Sequence, residues 1–147
     1  MTDLLFVDTN VLIYSLDPAE PTKRAKAAAL IKAGVQRRAL VTSPQTLTEG
    51  YRILTQKRQV MPIQAAREYL SALAPTCTAP LDHDTIVLAW RVEDRGNYSW
   101  WDCLMLAAAL RAGCRFFATE DLSDGQDIAG MLIINPFRSA IETFFPS

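Results

Sequence analysis

The chain has 147 residues, half of them hydrophobic and 21% charged, with a net charge of −1. These values belong to an ordinary globular domain with a sizeable core, and they exclude a disordered or low-complexity chain. The near-neutral balance also excludes a strongly basic nucleic-acid coat. It leaves room for a nuclease in which a cleft of acids holds metal and the metal meets the phosphate.

Three scattered cysteines, Cys77, Cys103 and Cys114, form no CxxC pair and read as reduced thiols of a cytoplasmic protein. The N-terminal run is interrupted by Asp3 and Asp8 and has no basic leader. No stretch reaches the ~18 apolar residues of a membrane span. The expectation is one soluble cytoplasmic domain over residues 1–147, with no membrane segment.

Leu4-Leu5-Phe6-Val7 is a continuous apolar run, the pattern of a strand buried on both faces. Val11 to Tyr14 reads as a short helix ended by Asp17-Pro18. Pro21 to Gly34 reads as a helix with proline at its start and glycine at its end. Ala39 to Ser43 is a second strand. Pro44 opens a helix to about Arg58, and Pro62 another to about Ala74. Thr76 to Leu81 is a candidate third strand. Asp82 to Gly96 reads as helix, and Trp101 to Gly113 as the most apolar helix of the chain. Arg115 to Thr119 is a fourth strand, Glu120 to Gly130 a loop, and Met131 to Ile134 a fifth strand. The aromatic tail from Phe137 to Ser147 is expected to pack on the body. The alternation predicts an α/β fold with about five parallel strands and helices on both faces.

In such sheets ligands bind beyond the carboxyl ends of the strands, and four acids fall at or near those ends. Asp8 closes the first strand and Glu49 lies in the helix after the second. Asp102 is in the first turn of the apolar helix, and Asp121 follows the fourth strand by two residues. Each has a structural alternative. Asp8 can cap a helix, and Glu49 can pair with Arg52. Asp102 can complete a capping box with Ser99, and Asp121 can serve a turn. Jointly the alternatives weaken, because buried carboxylates need a compensating charge and no Lys or Arg adjoins Asp8 or Asp102 in sequence. A divalent cation satisfies both, and hard cations choose oxygen.

The ordered set of motifs resembles the PIN-domain ribonucleases. Phe6-Val7-Asp8-Thr9-Asn10-Val11-Leu12-Ile13-Tyr14 is similar to their opening motif. Ser43-Pro44-Gln45-Thr46-Leu47-Thr48-Glu49 is similar to the second, Ser99-Trp100-Trp101-Asp102-Cys103-Leu104-Met105-Leu106-Ala107 to the third and Thr119-Glu120-Asp121-Leu122 to the fourth. Ile134-Asn135-Pro136-Phe137 resembles the usual close. Within the family the likeness is nearest to VapC-type toxins of toxin–antitoxin pairs. The resemblance implies a PIN fold, with Asp8 and Asp102 as principal metal ligands and Glu49 and Asp121 completing the acidic cluster. It implies that Asn10 and Thr119 orient the carboxylates; Asp124 competes with Asp121 for its role. It further implies Mg²⁺, with Mn²⁺ as a substitute, RNA as substrate, an antitoxin partner and a homodimer.

The expected chemistry is phosphodiester hydrolysis by metal-activated water. Arg52, Lys57 and Arg58 are candidate phosphate contacts, with a solvated helix face as the alternative. Trp100 and Trp101 are more readily core or interface residues than stacking platforms, and Leu30, Ile31, Phe144 and Phe145 more readily core than dimer contacts. His83, the only histidine, reads as a surface residue. A phosphorelay receiver is disfavoured because Thr119-Glu120-Asp121 stands where its lysine would be. A non-catalytic PIN-like binding domain is disfavoured because all four acids are present. A housekeeping RNA-processing nuclease without an antitoxin remains open.

Overall fold

The computed structural model describes residues 2–146. The first strand, β1 (Leu5–Val7), leads into α1 (Thr9–Tyr14) and α2 (Pro21–Gln36). Strand β2 (Leu40–Val41) precedes α3 (Pro44–Arg52), which continues as one wide π turn over Ile53–Lys57. Then come α4 (Ile63–Ala72), α5 (His83–Arg95), α6 (Trp100–Arg111), β3 (Phe116–Ala118), β4 (Asp127–Ile128) and β5 (Met131–Ile134).

The five strands form one sheet in the order β2-β1-β3-β5-β4. β1 pairs in parallel with both β2 and β3, β3 in parallel with β5, and only β4 runs antiparallel. The chain therefore leaves β1 in one direction and later returns on its other side. That reversal opens a crevice between the carboxyl ends of β1 and β3, where Asp8 and Thr119 stand one residue beyond their strands.

Strand residues alternate between two cores because successive side chains point to opposite faces. Leu5, Val7, Phe116 and Ala118 pack with α1, α2 and the C-terminal aromatics Phe144 and Phe145. Phe6 and Phe117 pack on the other face with α5 and α6, including Cys103 to Ala109. Their rings stack with centroids 5.0 Å apart. Covered on both faces, the strands need apolar side chains at every position, which explains their unbroken apolar runs. Among the described residues the cysteines are unpaired, Cys103 and Cys114 in the core and Cys77 half-buried, and no helix is long and apolar enough to cross a membrane.

The structure differs from the sequence expectation in three places. Thr76 to Leu81 is no strand; it makes a single parallel bridge, Thr42 to Cys77. Pro75 precedes the segment and Pro80 lies within it, and neither offers an N–H to a ladder. The fifth strand lies instead inside the expected loop, as β4. It turns back to β5 through Ala129 and Gly130, both at positive φ, 50° and 91°. Positive φ at both centre residues makes a hairpin turn of the primed type, but Ala-Gly lacks the Asn or Asp that would signal it. Helix α2 does not stop at Gly34. That glycine admits close packing, since a Cβ there would lie 3.1 Å from the Leu40 Cβ. The favoured core reading of Leu30, Ile31, Phe144 and Phe145 holds: all four are buried, at 2%, 9%, 2% and 4% exposure, and offer no face to a second subunit.

Phe117 is 1% exposed and central to the larger helix-side core. Phe117→Ala is expected to destabilise the fold by about 3–5 kcal/mol, measurable as a fall in the urea midpoint at unchanged slope.

Candidate metal centre

Asp8 is placed by two roles at once. It is the N-cap of α1, with its Oδ1 accepting from the Thr9 amide at 2.6 Å. Its Oδ2 accepts from the Thr119 hydroxyl at 2.7 Å, across the β1–β3 crevice. Asp8 is 7% exposed and Thr119 is fully buried. The Thr119 hydroxyl oxygen also accepts from the Asp121 amide at 3.1 Å, and the Asn10 amide nitrogen donates to Asp121 Oδ2 at 2.7 Å. Asp8, Thr119, Asp121 and Asn10 thus form one hydrogen-bonded set spanning α1 and the end of β3.

Glu49 joins from α3. Its carboxylate accepts from the Thr9 hydroxyl at 3.1 Å and from the Gln45 amide at 3.2 Å. The same Gln45 nitrogen donates to the Trp101 carbonyl at 2.9 Å, which ties α3 to the first turn of α6. Asp102 sits in that turn, held by Ser99, whose hydroxyl donates to Asp102 Oδ2 at 2.9 Å. The Asp102 amide donates back to the Ser99 hydroxyl at 3.2 Å. The capping reading of Asp8 is therefore realised; for Asp102 only the Ser99 cap forms, and its carboxylate is held by the Ser99 hydroxyl rather than by the Ser99 amide of a full capping box. No Glu49–Arg52 ion pair forms among the described residues.

Burial pushes the Asp8 carboxyl up to about 6, and the neighbouring charges of Asp121 and Asp102 add to the rise; the Thr119 and Thr9 hydrogen bonds oppose it. The repulsion shows that Asp8, Asp102 and Asp121 share one field. None of the four acids has a cationic partner among the described residues. The ion pairs go instead to Glu120 (with Lys23), Asp17 (with Arg58), Asp82 (with Arg111) and Asp3 (with Arg115).

This donor set fits a hard dication. It is made of oxygens, it carries excess negative charge, and the Asn10 Oδ1 beside it is buried without a partner. Among the described residues no three carboxylate, imidazole or thiol groups stand close enough to form a ready-made cage. Such an open set suits an ion of the magnesium type, which keeps several waters and uses one or two carboxylates.

Asp124 is engaged elsewhere: its Oδ1 accepts from the Asn135 amide at 2.8 Å at the end of β5. Arg52 and Lys57 line a groove with Glu49. Arg58 is committed to Asp17 at 2.7 Å and borders a smaller cleft with Lys57 and Asn10. His83 is exposed. Gln45 was not singled out from the sequence. Its signal was its place four residues before Glu49, one helical turn away on the same face.

A PIN-domain family model matches residues 5–123. The crystal structure of VapC20 from Mycobacterium tuberculosis, described as a sarcin–ricin loop cleaving toxin, superposes with a TM-score of 0.57 at 18% sequence identity. That superposition covers 77% of this chain and 86% of the other. At such identity the likeness establishes the shared fold. A search of curated proteins finds no match. PIN domains of this kind are nucleases that in general use divalent metals. With four fifths of its length matched in motif order, and with a mostly parallel five-stranded sheet amid six helices, the chain belongs to the PIN-domain family.

Proposed function

We propose that this chain is a metal-dependent endoribonuclease, the toxin of a type II toxin–antitoxin pair, with Asp8, Glu49, Asp102 and Asp121 as its acidic centre. One observation carries the reading. A buried carboxylate at the switch point feels the charges of Asp121 and Asp102, and the described ion pairs all lie elsewhere. A structural acid would be expected to have a cationic partner or to sit in water. The whole of residues 1–147 is proposed to act as one domain, since β5 and the C-terminal aromatics complete the same core.

Asp8 and Asp102 are proposed to hold Mg²⁺, or Mn²⁺ in its place, with Glu49 and Asp121 completing the cluster. When bound, the ion supplies Lewis-acid activation of water and shields charge on the leaving oxygen. The chain's own residues orient the reaction. Thr119 fixes the Asp8 carboxylate and, through its oxygen, the Asp121 amide. Asn10 steers Asp121 toward the crevice, and Ser99 does the same for Asp102. Arg52 and Lys57 are proposed to take the RNA backbone on the Glu49 side. Arg58 acts more remotely, by fixing the π turn to Asp17.

The substrate is proposed to be RNA in a single-stranded or loop segment, whose unstacked bases are accessible. An antitoxin segment bearing arginine would match the acid cluster and inhibit it. A homodimer and a cytoplasmic location complete the proposal; the free cysteines accord with a reducing compartment. The second reading is an RNA-processing PIN nuclease with no antitoxin, and co-purification of an inhibitory partner from the native host separates the two.

Purified protein is expected to cleave RNA only with Mg²⁺ or Mn²⁺. Asp8→Asn and Asp102→Asn are expected to abolish cleavage while keeping the native circular dichroism; a variant that cuts at the parental rate rejects the assignment. Thr119→Val keeps all four acids but frees Asp8, and should lower metal affinity or activity about 10–100-fold.

The raised Asp8 value gives a second test in metal-free protein. The folded state takes up a proton near pH 6, whereas the unfolded chain does so only near 3.8. Charged Asp8 therefore costs folding stability above pH 6, and the cost disappears as pH falls toward 4. Asp8→Asn should be more stable than the parent by up to about 3 kcal/mol at pH 8 and equal to it near pH 4. Urea titrations at the two pH values read the difference, and added Mn²⁺ should raise only the parent.

A further inference from the structure

Beside the acid cluster runs a groove of about 630 Å³, walled by α3, its π turn and the start of α6. Trp100 packs against the helix-side core, but its neighbour Trp101 stands 63% exposed and lines the groove with Leu81 and Leu104. An isolated exposed apolar side chain needs no explanation. This one is a flat aromatic plate adjoining Asp102, above an apolar floor.

Two polar features complete the groove. Gln45 spends its amide nitrogen on the Glu49 carboxylate and the Trp101 carbonyl. Both are acceptors, so the amide cannot be flipped without placing oxygen against oxygen. Its Oε1 has no donor among the described residues, which leaves an unpartnered acceptor on a groove-lining side chain. Arg52 and Lys57 open on the same groove, and neither forms an ion pair among the described residues.

We propose that this groove is a nucleobase subsite: Trp101 stacks on one unpaired base of the RNA next to the bond held at the acids. A base N–H satisfies Gln45 Oε1, and Arg52 and Lys57 meet the adjoining phosphates. Aromatic stacking, one hydrogen-bond acceptor and flanking cations are the combination that single-stranded nucleic acid uses. An apolar protein segment would cover the tryptophan but match neither the amide oxygen nor the cations. The subsite rests on the nuclease reading of the neighbouring acids, and it adds a specificity-determining residue to it.

The test separates the two ideas by measuring binding apart from cleavage. Trp101→Ala and Trp101→Phe are made in the intact chain and in the Asp8→Asn background. Binding is followed with a short single-stranded oligoribonucleotide carrying 2-aminopurine, whose fluorescence falls on stacking. Asp8→Asn alone should bind and quench the probe. Adding Trp101→Ala should weaken affinity about tenfold and remove the quenching, and Trp101→Phe should restore most of both. In the active chain Trp101→Ala should raise KM far more than it lowers kcat.

Equal affinity and quenching with and without the indole overturn the subsite, as does failure of the parent to bind the probe. An apolar protein occupant would give that result. Quenching through Trp101 by an intact chain that cuts no RNA would remove the nuclease reading and leave the base subsite standing. Cleavage with an unchanged KM in Trp101→Ala would do the reverse. The exposure of Trp101 makes both substitutions compatible with folding, which circular dichroism checks.

Discussion

The hydrogen bond from Thr119 to Asp8 joins the ends of β1 and β3 at the point where strand order reverses. It holds a carboxylate against two apolar cores, where an isolated charge is costly. The surrounding structure does little to neutralise that charge. It supplies the Thr9 amide and the Thr119 hydroxyl, and then adds the negative fields of Asp121 and Asp102. A scaffold that sets like charges beside a buried carboxylate works against its own stability unless something cationic arrives. That conflict between local stability and global arrangement is typical of functional sites.

The same device recurs around the site. Each carboxylate is held by local hydrogen bonds. Asp8 caps α1, and Asp102 accepts from the Ser99 hydroxyl that caps α6. Glu49 is held by Thr9 and by Gln45. The choice between a structural and a functional role for these acids is therefore a false one. The cap fixes the rotamer, and a fixed rotamer is what a metal ligand requires. Gln45 extends the logic, since it couples Glu49 on α3 to the backbone of α6 and so keeps the base groove and the acid cluster in register.

The two faces of the sheet divide the labour. The face of α1 and α2 is closed by Phe144 and Phe145, so residues beyond the matched family region are part of the core. On the other face the stacked Phe6 and Phe117 pack with α5 and α6, the helix whose first turn carries Trp101 and Asp102. The π turn after α3 shifts the helix so that Ile53 and Lys57 border clefts on both of its sides. Wide turns of this kind recur at functional sites because the extra residue re-aims side chains.

Much of this was legible in the chain itself. The apolar runs marked four of the five strands, and residues such as Pro44, Asp82 and Ser99 marked helix starts, because these signals depend on neighbours in sequence. The acids at strand ends followed from the same pattern. Strand β4 was not legible: its Ala129-Gly130 turn carries a weak signal, and its two residues pair only because β5 lies beside them. The sequence favoured Asp121 over Asp124 only by its offset from Thr119, and it did not separate Trp101 from Trp100. Each pair is alike in composition and differs only in what the folded chain brings near. Asn10 reaches Asp121 while Asn135 takes Asp124, and the core covers one indole and leaves the other in water. Local chemistry determined which groups the protein owns, and contacts between distant segments decided which of them meet.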